Sequence, residues 1–437
     1  MDSRAAQASQ RRSRFTRRLW LTLAGINLTW LCSCSLLGLN GHLTKMEQYG
    51  SVTIQVTPPP KESAPTYALA WTTLDDGEME TVGYHRLRAD GLAYFSLRTN
   101  FTYSVGAFTD ENGTGRFEDG EPGGCVTNVH PSALNDPAAR RKIRHFALTR
   151  DHHLPPNLVI DIVDTNNPLG TTVQIAVGDV AQLDDPQFAS ETGSRGLWRP
   201  FDFMCQNVPG IYYTEPYDPK RVPVVFVYGI GGSPQDWSYV MQHFDRTRYQ
   251  LWFFHYPSGM RLAREAWSLA ACLDILKERD GFAQCDVVAH SMGGLVSNEA
   301  IQEAVAREGT NFIAKFVSIS TPWGGHEAAS LGVRYLDKPV PSWKDVAPES
   351  DFLKSLYTNP VPSGTAHDLI YGEIPISAGV PGEDDGVVTV KSELDPRICK
   401  HATMVNHLPY GHVEILNQPQ TTRLVLDFLD QPADGTR

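Results

Sequence analysis

Three residue types that together make acyl chemistry stand far apart in this chain: Ser291, Asp385 and His412. Ser291 lies in Cys285-Asp286-Val287-Val288-Ala289-His290-Ser291-Met292-Gly293-Gly294-Leu295-Val296. A short apolar strand there runs into a small-x-Ser-x-Gly turn, and a helical pattern starts at once behind it. That layout is a nucleophile elbow, a strained corner that exposes the serine hydroxyl at the top of a sheet. Ala289 stands where glycine is usual. An ordinary strand-to-helix loop is the plain alternative. A serine hydroxyl needs a histidine to take its proton and a carboxylate to orient that histidine. Behind an elbow of this kind they follow in the order Ser, Asp/Glu, His.

Glu383-Asp384-Asp385-Gly386-Val387-Val388 offers the acid. Asp-Gly makes a tight turn there, so Asp385 is assigned the role, with Asp384 next and a solvated acidic loop as the plain alternative. Tyr410-Gly411-His412-Val413 offers the base. His412 is assigned, with His407 the rival and His401 also near. His290 is expected to support the elbow. The oxyanion needs two backbone donors. One is Met292, directly after the nucleophile. The other is Ile230, in the glycine-rich loop Val227-Tyr228-Gly229-Ile230-Gly231-Gly232-Ser233. That loop lacks the Lys-Ser/Thr of a phosphate loop and the G-x-G-x-x-G spacing of a dinucleotide site.

The elements that must position these residues fall into two grammars. From 40 to 177 the pattern is short and alternating, as at Val52/Ile54/Val56, Tyr94 between Leu92 and Ser96, Tyr103/Val105/Ala107, and Leu158 to Val163. Turn residues punctuate it, which predicts a small all-β sandwich. Residues 178–199 are polar and read as an irregular linker. From 200 to 432 buried strands alternate with helices: Val222–Tyr228, Leu251–Tyr256, Cys285–Ala289, Phe312–Ile319, Leu369–Glu373 and Ala402–Val405. A helix from Leu262 to Leu276 stops at Gly281, and another runs from about Thr421 to Leu429. This predicts an α/β fold with a mostly parallel sheet covered on both faces.

With those motifs in view, residues from about Gly196 to Leu429 resemble bacterial lipases and esterases of the α/β-hydrolase superfamily. The carrying segments are Val227–Ser233, Ala289–Gly294, Ser320-Thr321-Pro322-Trp323-Gly324-Gly325, Asp385–Val388 and Gly411-His412. The resemblance implies the α/β-hydrolase fold and hydrolysis of carboxylic esters, lipid esters in the first place, through an acyl-enzyme. It implies no metal or organic cofactor for catalysis. Tyr228 stands where that family usually has histidine, which leaves open what supports the oxyanion loop. The insert at about 321–366 corresponds to a cap. Its Trp323, Leu331, Tyr335, Trp343, Phe352, Leu353, Leu356 and Tyr357 either bind an acyl chain or pack a small core. An acyltransferase using the same acyl-enzyme is an alternative function, and a non-catalytic surface lipoprotein is another.

Two further segments carry expectations. Asp110-Glu111-Asn112-Gly113-Thr114-Gly115 with Glu121 follows the calcium-loop spacing, with Thr114 at the fifth place. Asp110, Asn112, Thr114 and Glu121 would bind a structural calcium; a turn with solvated acids is the equal alternative. Residues 1–39 join a basic stretch, Arg11 to Arg18, to an apolar one and to Leu31-Cys32-Ser33-Cys34. They read as a secretory signal, similar to that of a bacterial lipoprotein acylated at Cys34, although Cys32 is unusual there. Ser35 fits sorting to an outer membrane. An uncleaved membrane helix from Leu19 to Leu39 competes. Both put the rest of the chain outside the cytoplasm, tethered to a membrane. The chain of 437 residues has a net charge of −12. Residues 1–33 hold six arginines and one acid, so the remainder carries −17. That acidity argues against nucleic-acid binding and against docking on anionic lipid. Five cysteines follow residue 34, an odd number, so at least one thiol is unpaired within the chain.

Overall fold

The computed structural model describes residues 39–57, 64–74, 77, 79–87, 91–133, 143–151, 154–155, 158, 170–172, 175–308, 311–358, 362, 364–375 and 383–432. The signal-like segment up to residue 38, with Cys34, lies outside them. So do residues 159–163 of the expected strand Leu158–Val163; Leu158 itself is buried and outside any strand.

The N-terminal part is a mostly antiparallel β-rich region of two sheets. The first holds β1 (Tyr49–Thr57), β4 (Leu92–Arg98), β7 (Ser132–Ala133), β8 (Ile143–Ala147) and β9 (Gly170–Thr172), with β1 and β8 the parallel pair. The second holds β2 (Thr66–Thr73), β3 (Met79–Arg86), β5 (Tyr103–Thr109) and β6 (Gly123–Val129), in the order β3-β2-β5-β6. Alternation along the strands buries one face of each sheet in a shared cluster: Val52, Ile54 and Val56 with Phe95 and Leu97, against Ala68, Val82 and Val105. In β4 the clustered phase is Ala93, Phe95 and Leu97. Tyr94 and Ser96 instead line, with Arg264 and Trp267, a cavity of about 80 Å³ at the seam with the second part.

The second part is an eight-stranded sheet of β10 (Ala176–Val180), β11 (Gly210–Tyr213), β12 (Val222–Val227), β13 (Tyr249–His255), β14 (Cys285–His290), β15 (Ile313–Ile319), β16 (Ala366–Gly372) and β17 (Met404–Leu408). Its order is β10-β11-β13-β12-β14-β15-β16-β17, and only the β11–β13 pair is antiparallel. Every residue of β13 and β14 is buried, as strands sandwiched between helix layers require. The helix Leu262–Asp280 covers one face with Leu262, Ala266, Leu269, Leu273 and Leu276. It ends at Gly281 in the left-handed region (φ 70°), whose N–H closes on Lys277 O.

Two boundaries depart from the sequence reading. Residues 178–199 are not an irregular linker: they hold the end of β10 and the helix Ser190–Trp198. Residues 39–47 are helical, and Leu39, Leu43 and Met46 pack with Phe201, Met204 and Val340 of the second part. By its contacts this helix sits on the α/β part, not in the β-rich region. Among the described residues no helix is long and apolar enough to cross a membrane. Among the described residues no disulfide joins Cys125, Cys205, Cys272, Cys285 or Cys399.

Candidate active site

The elbow forms where the sequence places it. β14 ends at His290, Ser291 takes φ +53°, and the helix Met292–Glu308 starts at the next residue. Positive φ is costly for a residue with a side chain, of order 1–3 kcal/mol, and is kept only where the surroundings enforce it. Ser291 N–H donates to Ile319 O at 2.8 Å, which anchors the corner to β15. A Cβ on Gly293 would stand 2.4 Å from Tyr228 O, so only glycine lets the new helix pass the end of β12.

His412 reaches Ser291 from the loop after the edge strand β17. That loop leads to a short 3-10 helix at Glu414–Asn417. Ser291 Oγ lies 2.9 Å from His412 Nε2, and His412 Nδ1 lies 2.6 Å from Asp385 Oδ2. The carboxylate fixes the tautomer: Nδ1–H donates to Asp385, and Nε2 is left to accept from the serine hydroxyl. Asp385 is held by its own turn, because its Oδ1 accepts the N–H groups of Val387 (2.9 Å) and Val388 (2.7 Å). The backbone binds the two loops as well, since His412 N–H donates to Asp385 O at 2.8 Å. Ser291, Asp385 and His412 are all buried. Burial alone would raise the Asp385 pKa. Its bonds to His412, Val388 and Val387 and the His412 charge outweigh that, and the carboxyl lies below its ordinary value.

The rivals are elsewhere. His407 sits on β17 with Nε2 3.3 Å from Glu373 Oε1 and its ring against Tyr371. His401 is an exposed turn residue. Asp384 is exposed, and its Oδ1 accepts the Gly386 N–H. His290, expected to support the elbow, instead holds the His412 loop: its Nε2 donates to His412 O at 2.8 Å. Burial, with the nearby His412, pushes its pKa down to about 3, so it stays a neutral donor.

The glycine-rich loop follows β12, with Ile230 exposed, and Met292 is buried at the start of its helix. The first N–H groups of a helix have no partner within it, and Met292 holds the first position of its helix. The support for the loop comes from tyrosines. Tyr228 OH donates to Tyr256 O (2.5 Å) and accepts the Tyr256 N–H (2.7 Å), while Tyr256 OH donates to Tyr228 O (2.7 Å). Their rings stack at 4.6 Å. Ser258 Oγ then accepts the Gly231 N–H at 2.9 Å. Tyr256 and Ser258 escaped the sequence reading. They follow the end of β13, and only knowledge that β13 lies beside β12 would have pointed to them.

The insert carries three short helices, Glu327–Tyr335, Pro341–Val346 and Asp351–Leu356. Trp323, Phe352, Leu353 and Leu356 are buried in the main core, with Trp343 and Tyr357 packed against it. Leu331 and Tyr335 alone of the eight named side chains are well exposed.

The Asp110 loop closes on itself. Asp110 Oδ1 accepts the N–H groups of Gly113 and Thr114, and Oδ2 that of Gly115. Glu121 takes the N–H groups of Glu111 and Glu118. Asn112 Oδ1 accepts the Thr114 N–H, and the Thr114 hydroxyl donates to Arg116 O. Among the described residues no three His, Cys, Asp or Glu side chains are gathered as a metal-binding group. The donor set at this loop is thus engaged with backbone.

Comparison with known proteins adds the following. A family profile described as the alpha/beta hydrolase fold matches residues 222–356. No curated protein matches the chain. Among solved structures, the mature form of a lipase from Bacillus licheniformis is 21% identical, with 50% of this chain and 97% of that chain covered and a TM-score of 0.41. Aspergillus fumigatus lipase B is 15% identical, over 52% of this chain and 57% of that one, with a TM-score of 0.40. A monoacylglycerol lipase from Paleococcus ferrophilus is 14% identical, over 50% and 98%, with a TM-score of 0.37. With the profile match laid over the strand order, the elbow after β14 and the loops after β16 and β17, the second part of this chain has the α/β-hydrolase fold.

Proposed function

We propose that the protein is a serine hydrolase of carboxylic esters that works through an acyl-enzyme. The observation that carries this is the unbroken chain of short contacts from Ser291 Oγ to His412 to Asp385, buried on a strained elbow. In the proposed reaction Ser291 Oγ attacks the ester carbonyl as His412 Nε2 takes its proton. The Ile230 and Met292 amides bind the oxyanion; one such donor is worth about 2.7–4 kcal/mol in the transition state. His412 returns the proton to the departing alcohol. Water then attacks the acyl-enzyme, with His412 as base again, and frees the acid. Asp385 stabilises the imidazolium without taking a proton.

A lipid-like ester is the substrate class we favour. Its support is the exposed apolar side chains carried by the site's own loops: Ile230 beside the oxyanion position, Val387 after Asp385 and Val413 after His412. Membrane tethering through an acylated Cys34, outside the cytoplasm, belongs to the same proposal and rests on the sequence of residues 1–39. The mass of the N-terminal peptide of the mature protein tests it, since a diacylated Cys34 is expected and an intact leader contradicts it.

Turnover tests the activity. Wild type should hydrolyse p-nitrophenyl esters, preferring longer acyl chains, and Ser291→Ala should not. With an added alcohol acceptor, free acid should remain the main product. A dominant transfer product would make the protein an acyltransferase, and absence of both would leave it a non-catalytic lipoprotein.

A further inference from the structure

Behind Asp385 lies a buried acid that the reaction above does not use. Glu393 ends the short helix Val390–Glu393 and is fully buried. Its Oε1 accepts the Gly372 N–H at 3.3 Å. Ser320 Oγ is also buried, and its hydroxyl favours the charged form of Glu393. The end of β16 gathers these groups: a Cβ on Gly372 would lie 3.1 Å from Ser320 Oγ and 3.3 Å from Asp385 Cβ. Helix and Asp385 turn form one unit. Val390 N–H donates to Glu383 O, Asp385 N–H to Val388 O, and Asp384 is bridged to Thr389.

We infer that Glu393 is a positioning residue that serves the site only while it carries its proton. Neutral, it leaves Asp385 the negative charge that faces His412. Ionised, it sets a second carboxylate against the first where water is excluded. That repulsion is relieved by moving the Val390–Glu393 helix, and the Asp385 turn moves with it, away from His412. Burial first, then the Asp385 charge, pushes the Glu393 pKa up to about 9; the Gly372 N–H and the Ser320 hydroxyl pull the other way. Tyr371 of β16 also faces Glu393, and burial raises its pKa as well, with the Glu373 and Glu393 charges adding. The inference rests on the esterase reading above and adds the alkaline limit of the same site.

The test is kcat/KM for a p-nitrophenyl ester on the full chain, followed from about pH 6 to about pH 10.5, in wild type, Glu393→Gln and Ser320→Ala. Wild type should lose about tenfold between pH 8 and pH 10. Glu393→Gln, which cannot ionise, should lose less than about twofold over the same range. Ser320→Ala removes a group that favours the charged form, so its loss should begin at higher pH than in wild type. The same alkaline loss in wild type and Glu393→Gln overturns the inference, as does a wild-type rate that stays level or rises through pH 9. If Glu393→Gln does not fold, an unmoved limb in Ser320→Ala overturns it alone. A wild type that neither turns over esters nor reacts at Ser291 overturns the esterase reading, and the inference with it.

Discussion

Asp110 in the β-rich region and Asp385 in the α/β part are the same device put to two uses. Both are buried acids in tight, glycine-containing turns whose carboxylates accept N–H groups a few residues on. Asp110 spends both oxygens on its loop, on Gly113, Thr114 and Gly115. Asp385 spends one, on Val387 and Val388, and keeps Oδ2 for His412. A buried carboxylate whose oxygens are all taken by backbone holds a fold. One with an oxygen left for another side chain can orient a reaction.

Breaking each acid in turn should separate the two uses. Asp385→Asn keeps an acceptor for the turn but presents the wrong partner to His412 Nδ1. Its kcat should fall by roughly 10⁴-fold while the melting temperature changes little. A loss of less than tenfold would remove Asp385 from its role. The oxyanion clasp comes next. Tyr256→Phe deletes the hydroxyl that donates to Tyr228 O. It should lower kcat by about tenfold to a hundredfold with KM nearly unchanged, because a loosened loop mainly harms the transition state. An effect confined to KM would put Tyr256 in substrate binding instead.

Asp110→Ala should be the mirror image. The loop N–H groups of Gly113, Thr114 and Gly115 lose their charged acceptor, at a cost of about 1–3 kcal/mol in stability, and kcat stays at the wild-type level. The same loop sharpens the comparison through metal. If Asp110, Asn112, Thr114 and Glu121 hold a structural calcium, chelator lowers the melting temperature; no shift makes the loop self-sufficient. The last contrast is a pH dependence of stability. Glu393 has its folded pKa raised from an ordinary 4.5 to about 9. The unfolded chain releases that proton first, so the stability Glu393 confers is full below about pH 4.5 and fades as pH rises to about 9. Relative to wild type, Glu393→Gln should therefore melt higher at pH 8 than at pH 5. Parallel curves would place Glu393 ionised throughout.

What the sequence could and could not reveal follows from where the signal is stored. β12 to β15 are largely apolar runs, Ser291 directly follows β14 and His412 closely follows β17, and Asp385 sits in an Asp-Gly turn, so these features were legible. β10 is short and interrupted by Gly178 and Asp179, and β11 has four residues, so neither outweighs a loop in local pattern. The helix Ser190–Trp198 holds two glycines that local propensity counts against it. Gly193 is there for packing: a Cβ would stand 2.2 Å from Gly232 O of the oxyanion loop. The tyrosine clasp and Glu393 were hidden for a related reason. Each gains its meaning from a neighbour strand or turn that only the folded chain brings near.

The most direct measurement is the site of covalent capture. A fluorophosphonate probe is incubated with the full chain at neutral pH, and the adduct is mapped by mass spectrometry in wild type, Ser291→Ala and His412→Ala. One probe per chain on Ser291 is expected, absent in Ser291→Ala and formed far more slowly in His412→Ala. An unlabelled wild type, or a probe found on another residue, would contradict the account.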